Sequence, residues 1–352
     1  MATTIKDVAR LAGVGVGTAS RVISGNGSVA ADTAERVRAA IKALNFRPSS
    51  AGRALATRTM GMLGLYVPHF SGLYYGPILQ AVESELREVD RHMVVANGCG
   101  TGDGRQVALN GLEFLMQREC DGIVIISNEL LDSDLQAMHA RFPKVVVLNR
   151  VVPGLEAQCF AADHALGGRL AARALLAHGH RDIAVISGME AAQDNAARMA
   201  GFHAELAEQG LAVPDALRAC GDFNFDDGAR AARELLASGV PFTALFAAND
   251  LMAMAAMSVF GTQGLRLPRE LSVVGYDDSA LAAYTKPSLS TVRIPITEFT
   301  RHACRHLINR CYGLDLPVSR DFAPSLVWRE SIAAGPHPVR KRMLRSLDKA
   351  TA

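Results

Sequence analysis

Polar and aromatic side chains follow the apolar runs of this sequence at the points where those runs end. Asn149 ends KVVVLN, Asn249 ends TALFAAN, and Asp277 follows LSVVGY. Guanidinium, carboxylate and amide groups can bind neighbouring hydroxyls, and an aromatic ring can pack on the apolar face of a sugar. The pattern therefore predicts a binding site for a small polyhydroxyl molecule. The predicted effector-binding residues are Tyr75, Asn149, Arg198, Phe223, Asn249 and Asp277.

Some of these residues also have a structural interpretation. Asn249 could cap the following helix, and Asp277 could accept hydrogen bonds from turn amides. Asp250 fits the acidic start of a helix better than a ligand contact. For the pair Tyr74–Tyr75 the prediction includes only Tyr75, since one of two adjacent tyrosines is expected to point away from the site.

The elements that position these residues alternate along the chain. Seven apolar runs are separated by amphipathic helical stretches, which is typical of parallel α/β sheets whose strands are buried on both faces. The series is too long for one core, so we expect a two-lobed α/β domain over residues 60–335. Its N-lobe would comprise about 61–159 and 291–323, and its C-lobe about 160–290 and 324–335. Ligands bind beyond the carboxyl ends of such strands, which here would face the interlobe cleft.

The first 48 residues have a different, all-α pattern. Apolar spacing predicts a helix over 5–12, a turn at Gly13–Gly15, and a second helix over about 16–24. A third helix would start at an N-cap, Asp32 or Thr33, and end before Pro48. Two short helices joined by a glycine-containing turn, with a third completing a small core, form the helix-turn-helix plan.

Composition supports a nucleic-acid-binding head on a separate body. Of the net charge of +2, residues 1–60 contribute nine bases and three acids, or +6, which leaves −4 for the rest. No signal-peptide-like or membrane-spanning run is found, and the six cysteines are scattered, so we expect a cytoplasmic protein with reduced thiols. We find no catalytic constellation and predict neither an enzyme nor a cofactor. The set His302, Cys304, His306 and Cys311 lacks metal-site spacing, so no metal is expected.

Longer motifs resemble the lactose/galactose repressor family of bacterial transcription regulators, nearest to its galactose-repressor branch. The resemblance starts with TIKDVARLAGVGVGTASRVISG and ALNFRPSSAGRALATRT, and continues through VVLNRVVPG, GHRDIAVISG, AANDLMAMAAM and ELSVVGYDD. It implies a type I periplasmic-binding-protein-like body below the helix-turn-helix head. It also implies a homodimer that binds pseudo-palindromic double-stranded operator DNA and a small effector, with no membrane partner.

The resemblance also implies which residues of the head meet DNA. These are Thr4, Val16, Gly17, Thr18, Ser20, Arg21, Ser28, Arg53 and Leu55. Independently, a guanidinium at position 21 of the second helix can bind guanine O6 and N7 together; a phosphate contact is the alternative. Gly15 departs from the family, which has a serine able to cap the second helix there, so that helix is expected to order fully only on DNA.

Residues 49–59 correspond to the family's hinge. The resemblance implies that this segment folds on DNA and that Leu55 wedges into the central minor-groove step. The alternative is a plain linker whose Leu55 packs on the body. Residues 336–352 would form a solvated basic tail.

Together these features predict a repressor of sugar-utilisation genes, released when a sugar binds in the cleft. A purine- or sugar-phosphate-responsive regulator and a sugar-binding protein without DNA binding are the alternatives.

Overall fold

The computed structural model describes residues 3–24, 28–46, 59–70, 73–98 and 103–336. Its helices are α1 Ile5–Ala12, α2 Val16–Ser24, α3 Ala31–Ala43, α4 Tyr75–Glu88, α5 Gly104–Gln117, α6 Asp132–Arg141, α7 His164–Ala177, α8 Gln193–Ala207, α9 Phe225–Ala237, α10 Asp250–Thr262 and α11 Ile296–Tyr312. Its strands are β1 Met62–Tyr66, β2 His92–Ala96, β3 Gly122–Ile125, β4 Val145–Leu148, β5 Cys159–Phe160, β6 Ile183–Ser187, β7 Arg218–Cys220, β8 Ala244–Ala247, β9 Ser272–Asp277, β10 Ser290–Arg293 and β11 Ser325–Val327. Within these ranges no helix has the length and apolarity to cross a bilayer.

The head is a three-helix unit with its own core. Val8, Ala9 and Ala12 from α1 pack with Ala19 from α2 and with Val37 and Ala40 from α3. Gly13 ends α1 in the left-handed region at φ 65°, where a residue without a Cβ is favoured. The first two predicted helices are confirmed at their bounds.

The predicted start of the third helix is wrong. Its N-cap is Ala30, and Asp32 and Thr33 lie inside its first turn. It ends at Ala43, because Leu44 adopts φ −87° and ψ 0° and Asn45 adopts φ 46°. The helix is therefore already over several residues before Pro48, which lies outside the described residues.

Two sheets form the body. The first has the order β2-β1-β3-β4-β5 with every neighbouring pair parallel, and it is the N-lobe sheet. The second has the order β11-β10-β9-β8-β6-β7 and is parallel except for the β10–β11 pair. Mostly buried apolar strands alternate with helices in two sheets, as predicted from the sequence, and the edge strands β2 and β7 are partly exposed.

The lobe boundary at residue 291 needs correction. Ser290–Arg293 forms β10, which pairs with β9 and β11 in the C-lobe sheet. The chain thus returns to the N-lobe only after Arg293, at the start of α11. From there α11 packs against α4 and against β3, β4 and β5 of the N-lobe sheet.

Helices α4 and α11 are pinned together by a buried carboxylate. Glu85 of α4 is 3% exposed and accepts hydrogen bonds from Arg305 of α11 at 2.6 and 3.1 Å. Both helices begin where the lobes meet, since Tyr74 precedes α4 and Pro295 precedes α11 in the lining of one cavity. They therefore run from the interlobe region into the N-lobe as a coupled pair.

Candidate nucleic-acid interface and interlobe site

Helix α2 presents the predicted DNA-reading residues on one side. Ala19 is buried in the head core, whereas Val16, Gly17 and Arg21 are exposed. Positions 16, 17 and 21 share a face because a helix repeats every 3.6 residues. Thr18 and Ser20 are half-buried, and Ser28, after the end of α2, is exposed.

Two positions of the head that the sequence analysis singled out, Thr4 and Gly15, stand at the starts of helices. Thr4 is the N-cap of α1, where its backbone N–H and hydroxyl donate to Asp7 at 3.0 and 2.7 Å. These bonds lower the pKa of Asp7. Gly15 starts α2 through its carbonyl, which accepts from the backbone N–H of Thr18 at 2.9 Å, so the helix forms without a capping side chain. Arg53 and Leu55 lie outside the described residues.

The predicted cleft residues stand at strand ends with unusual backbone. Asn149 follows β4 with φ 64°, Phe223 follows β7 with φ 55°, and Asp277 ends β9 with φ 104°. A non-glycine residue at positive φ costs about 1–3 kcal/mol and persists where its surroundings impose it. Such strain at strand ends of both sheets is typical of a binding site between the lobes.

Arg198 is the centre of the interlobe site and is 1% exposed. Its guanidinium donates to the Ala248 carbonyl and, at 3.1 Å, to Asp194 Oδ2. The guanidinium carbon lies 3.9 Å from the ring centroid of Tyr276 and 5.9 Å from that of Phe223. Its Nε and Asp194 Oδ1 are both buried and have no hydrogen-bond partner among the described residues. Arg198 is therefore a structural residue as well as a predicted effector contact, and polar atoms beside it remain for a ligand.

Asn149 joins the two lobes through hydrogen bonds. Its Nδ2 donates to Asp194 Oδ2 at 3.1 Å, and its Oδ1 lies 2.9 Å from His164 Nε2. The other ring nitrogen of His164 lies 3.0 Å from the Tyr276 hydroxyl. Burial, followed by the charge of Arg198, lowers the pKa of His164 to about 4. A neutral imidazole that donates to Asn149 and accepts from Tyr276 satisfies both bonds.

Asp250 and Asp277 differ in the hydrogen bonds that their carboxylates accept. Asp250 is fully buried and accepts from Thr291 Oγ1 and Ser279 N at 2.6 Å each, so it is structural. Asp277 is half-buried, and we find no hydrogen bond to its carboxylate from the described residues. Burial raises the pKa of Asp277 well above its usual value, while the positive charge of Arg198 opposes that shift.

A cavity of about 330 Å³ opens beside Asp277. Tyr74, Pro77, Leu251 and Ile296 line it with further residues of both lobes. The Tyr74 hydroxyl is buried without a partner, and burial raises its pKa, as do the nearby carboxylates of Asp194 and Asp277. Tyr74, which the sequence prediction left out, therefore lies in the interlobe region along with Tyr75.

Phe223 and Asn249 form one local unit. A Cβ on Gly188 would lie 2.1 Å from Cζ of Phe223, so the glycine that ends DIAVISG makes room for the ring. The Asn249 side chain accepts from Met252 N and donates to the Phe223 carbonyl, both at 2.9 Å. The capping interpretation of Asn249 is thus confirmed; a ligand contact through its remaining amide hydrogen stays a prediction.

Tyr75 begins α4 beside its neighbour. The two tyrosine rings are 5.3 Å apart and nearly perpendicular. Burial raises the pKa of Tyr75, and the carboxylates of Asp194 and Asp222 add to the shift. Through its ring contact with Tyr74, which lines the interlobe cavity, Tyr75 lies next to the site.

Besides Tyr74, three further residues of the site were missed from the sequence: Asp194, His164 and Tyr276. One available signal was the i, i+4 spacing of Asp194 and Arg198, which places an acid and a base side by side on a helix. The roles of His164 and Tyr276 depend on contacts across 112 residues of sequence, which no local pattern carries.

Comparison with known proteins agrees with this architecture. Residues 4–49 match the family described as "Bacterial regulatory proteins, lacI family", and residues 172–332 match "Periplasmic binding protein-like domain". The chain is 34% identical over 331 residues to the HTH-type transcriptional regulator GalS of Salmonella typhimurium, covering 94% of this chain and 96% of that protein.

Solved structures give the same result. A transcriptional regulator of the LacI family from Burkholderia phymatum is 47% identical with a TM-score of 0.75, and the match covers 78% of this chain and 99% of that one. The lac repressor dimer bound to operator and the anti-inducer ONPF is 27% identical with a TM-score of 0.84, covering 95% and 100%. The fold and site define a helix-turn-helix transcription regulator with a periplasmic-binding-like body. The chain belongs to the LacI family, and its similarities support the galactose-repressor branch.

Proposed function

We propose that the chain is a dimeric repressor of sugar-utilisation genes that binds a pseudo-palindromic operator and releases it when a neutral sugar occupies the interlobe cleft. The observation that carries the effector part is the group of buried polar atoms without partners at the lobe junction. These are Tyr74 Oη, Asp194 Oδ1 and Arg198 Nε. A buried polar atom without a hydrogen bond costs free energy, and ligand hydroxyls would supply the missing partners.

The composition of the cleft favours a ligand with both polar and apolar surface. Asp277 offers a carboxylate without a bond from the described residues, and Phe223 and Tyr75 offer rings. Pro77, Leu251 and Ile296 add apolar walls to the neighbouring cavity. Sugars present hydroxyls at the edge of a ring and C–H groups on its face, which matches this combination.

The charges favour a neutral effector over a phosphorylated one. Arg198 already pairs with Asp194, and Asp277 adds a second carboxylate near the same guanidinium. A phosphate group would have to compete with Asp194 for the Arg198 guanidinium in a site of low dielectric, where like charges repel strongly. A sugar phosphate is therefore the less favoured effector, and a purine could use the rings but fewer of the polar atoms.

The exposed face and the positive charge of the head favour a DNA-binding regulator over a sugar-binding protein without DNA binding. The exposed face of α2 carries Val16, Gly17 and Arg21, and the first 60 residues carry the positive charge. The similar lac repressor dimer was solved bound to operator. Binding of this kind weakens steeply with salt because phosphate contacts release counterions.

The test uses the full chain to select DNA sequences that it binds and then measures which small molecules release that DNA. Double-stranded DNA is selected from a random library, and neutral sugars, among them D-galactose and D-glucose, are compared with galactose 1-phosphate and hypoxanthine. A neutral sugar should raise the unfolding temperature and weaken binding to the selected DNA. At a hundredfold excess over Kd, a ligand stabilises by about 2.7 kcal/mol. Failure to select any sequence, or release only by the phosphate or the purine, would refute the proposal.

A further inference from the structure

The carboxylate of Asp121 accepts hydrogen bonds from the backbone at the start of the body. Its Oδ1 accepts from Met60 N at 2.7 Å, and its Oδ2 accepts from Gly61 N at 2.7 Å and Met62 N at 3.1 Å. The backbone N–H of Asp121 donates in return to the Met62 carbonyl at 2.8 Å. Three consecutive amides on one carboxylate fix the direction in which the chain enters β1.

This exit segment, Met60–Met62, is the first part of the body after the predicted hinge. Gly61 adopts φ 71°, so the chain bends sharply there before entering the strand. Hydrogen bonds to an ionised acceptor are shorter and about twice as strong as neutral ones. Together with the backbone hydrogen bond from His92 N to the Gly61 carbonyl at 3.0 Å, the Asp121 carboxylate therefore sets the direction of the exit segment.

A second group reaches the same carboxylate from the end of α11. The Tyr312 hydroxyl donates to Asp121 Oδ2 at 3.0 Å. The Arg91 guanidinium, which follows α4, lies 4.8 Å from the centroid of the Tyr312 ring. The carboxyl-terminal ends of α4 and α11 thus meet beside Asp121, which binds the exit segment.

The near ends of the same helices border the interlobe site. Tyr74 caps α4, Pro295 precedes α11, and both line the cavity beside Asp277. With 17 residues, α11 spans about 25 Å. Glu85 and Arg305 hold the two helices together midway. A shift at the cleft is therefore transmitted to Tyr312 through rigid, mutually bonded elements.

We propose that Asp121 is the positioning residue that sets how the hinge leaves the body, and that Tyr312 couples this anchor to the cleft through α11. The proposal rests on the proposed function, since it concerns how the effector site controls DNA binding. Closure or opening of the cleft moves the α4–α11 pair, Tyr312 moves with it, and the exit segment follows the shared carboxylate. Two hinges in a dimer then change their separation.

The first arm of the test measures the anchor without DNA or sugar. Hydrogen–deuterium exchange of the full chain is compared among wild type, Asp121→Asn, Tyr312→Phe and the control Asp315→Asn, the same change at an exposed position of the same lobe. Exchange of the Met60–Met62 amides should be roughly tenfold or more faster in Asp121→Asn, because the amide cannot accept with both atoms. Tyr312→Phe should have a smaller effect, and Asp315→Asn none.

The second arm measures coupling with DNA selected by the wild type. Asp121→Asn should lower DNA affinity by roughly three- to tenfold, while sugar affinity stays unchanged. Tyr312→Phe keeps the ring against Arg91 but should reduce the factor by which a sugar weakens DNA binding. A purely structural role would lower the unfolding temperature without moving this factor.

Each outcome decides the proposal. Unchanged exchange at Met60–Met62 in Asp121→Asn overturns the anchor, and an unchanged sugar response in Tyr312→Phe overturns the coupling. If Asp121→Asn does not fold, Tyr312→Phe still reports on the same carboxylate in both arms. If the wild type selects no DNA or binds no sugar, the proposed function fails instead, and the exchange measurement alone decides the anchor.

Discussion

Nδ2 of Asn149 lies 3.1 Å from Oδ2 of Asp194, so one hydrogen bond joins the end of an N-lobe strand to the first turn of a C-lobe helix. The same oxygen of Asp194 accepts from Arg198. A ligand that enters the cleft therefore meets groups that already hold the two lobes in one relative position. Binding there can favour one closure state only by bonding better in that state than in the other.

Replacing Asp194 by Asn tests this junction. The substitution keeps the shape of the side chain but removes the negative charge that balances Arg198. It also replaces one carboxylate oxygen, a hydrogen-bond acceptor, by an NH2 group, which donates. The unfolding free energy should fall by about 1–3 kcal/mol, and sugar affinity should fall by about tenfold or more. Denaturant unfolding and thermal shift with the cognate sugar measure the two effects. Asp226→Asn, at an exposed position in the first turn of α9, is the control; wild-type sugar affinity in Asp194→Asn would contradict the assignment.

Neighbouring carboxylates at 277 and 278 should behave in opposite ways. Asp278 binds Arg293 at 2.7 Å and Arg329 at 2.5 Å, whereas no described residue donates to Asp277. Asp278→Asn should therefore lower stability by about 1–3 kcal/mol with little change in sugar affinity. Asp277→Asn should weaken the sugar and leave stability nearly unchanged.

The same two measurements on both variants check this contrast. Each variant is the control for the other, because the chemical change is identical and the positions are adjacent. If Asp278→Asn weakened the sugar more than Asp277→Asn did, the orientation assigned to the end of β9 would be wrong.

Much of this architecture follows from local sequence, and the exceptions have physical causes. The bounds of α1 and α2 were predictable because Gly13 separates two short periodic runs. Strands β5 and β7, of two and three residues, are too short for any periodicity. Strand β10 carries the mixed sequence STVR, and only its pairing with β9 and β11 identifies its lobe.

For the binding site, too, local sequence predicted the positions but not the long-range contacts. Strand ends supplied Asn149, Phe223 and Asp277, because parallel strands bring their carboxyl ends together, and Arg198 came from the helix that follows β6. The strand-end pattern could not tell that Arg198 would be buried against Asp194 and Tyr276, since that depends on which way each side chain packs. Arg198→Ala would leave a buried carboxylate unpaired and cost about 3–5 kcal/mol, so it is a poor probe of ligand binding.

Acid should destabilise the chain through His164. In the folded chain burial keeps its pKa at about 4, whereas the unfolded chain titrates near 6.5. Between these values the unfolded state binds a proton that the folded state does not, so stability falls as pH falls from about 6.5 towards 4. Above 6.5 this contribution is fully present, and at pH 5 the loss is about 2 kcal/mol.

Comparison of wild type with His164→Gln isolates this contribution. The variant should lose less stability than wild type between pH 7 and pH 5, as measured by the midpoint of thermal unfolding. Burial raises the pKa of Asp250 to about 7, which acts with the opposite sign but is common to both proteins. His92→Gln, at an exposed position, is the control. Equal pH dependence in wild type and His164→Gln would show that the imidazole is not held neutral.

Arg21 gives the sharpest test of the head. It lies on the exposed face of α2 with Val16 and Gly17, where a guanidinium can bind guanine O6 and N7 together. Arg21→Ala should weaken binding to the selected operator by about 1–3 kcal/mol per half-site and relax the preference at one base pair. Sugar affinity should stay unchanged, because the head has a core of its own.

Arg36→Ala is the matched control for Arg21→Ala, since Arg36 is an exposed arginine on α3 that pairs within its own helix with Asp32 at 3.8 Å. Affinities for the selected operator and for random DNA are measured at two salt concentrations. If Arg21→Ala weakens both DNAs equally and lowers the salt slope by about one, Arg21 binds a phosphate and does not read a base. A loss confined to the operator, with the random-DNA affinity nearly retained, assigns base recognition to this side chain.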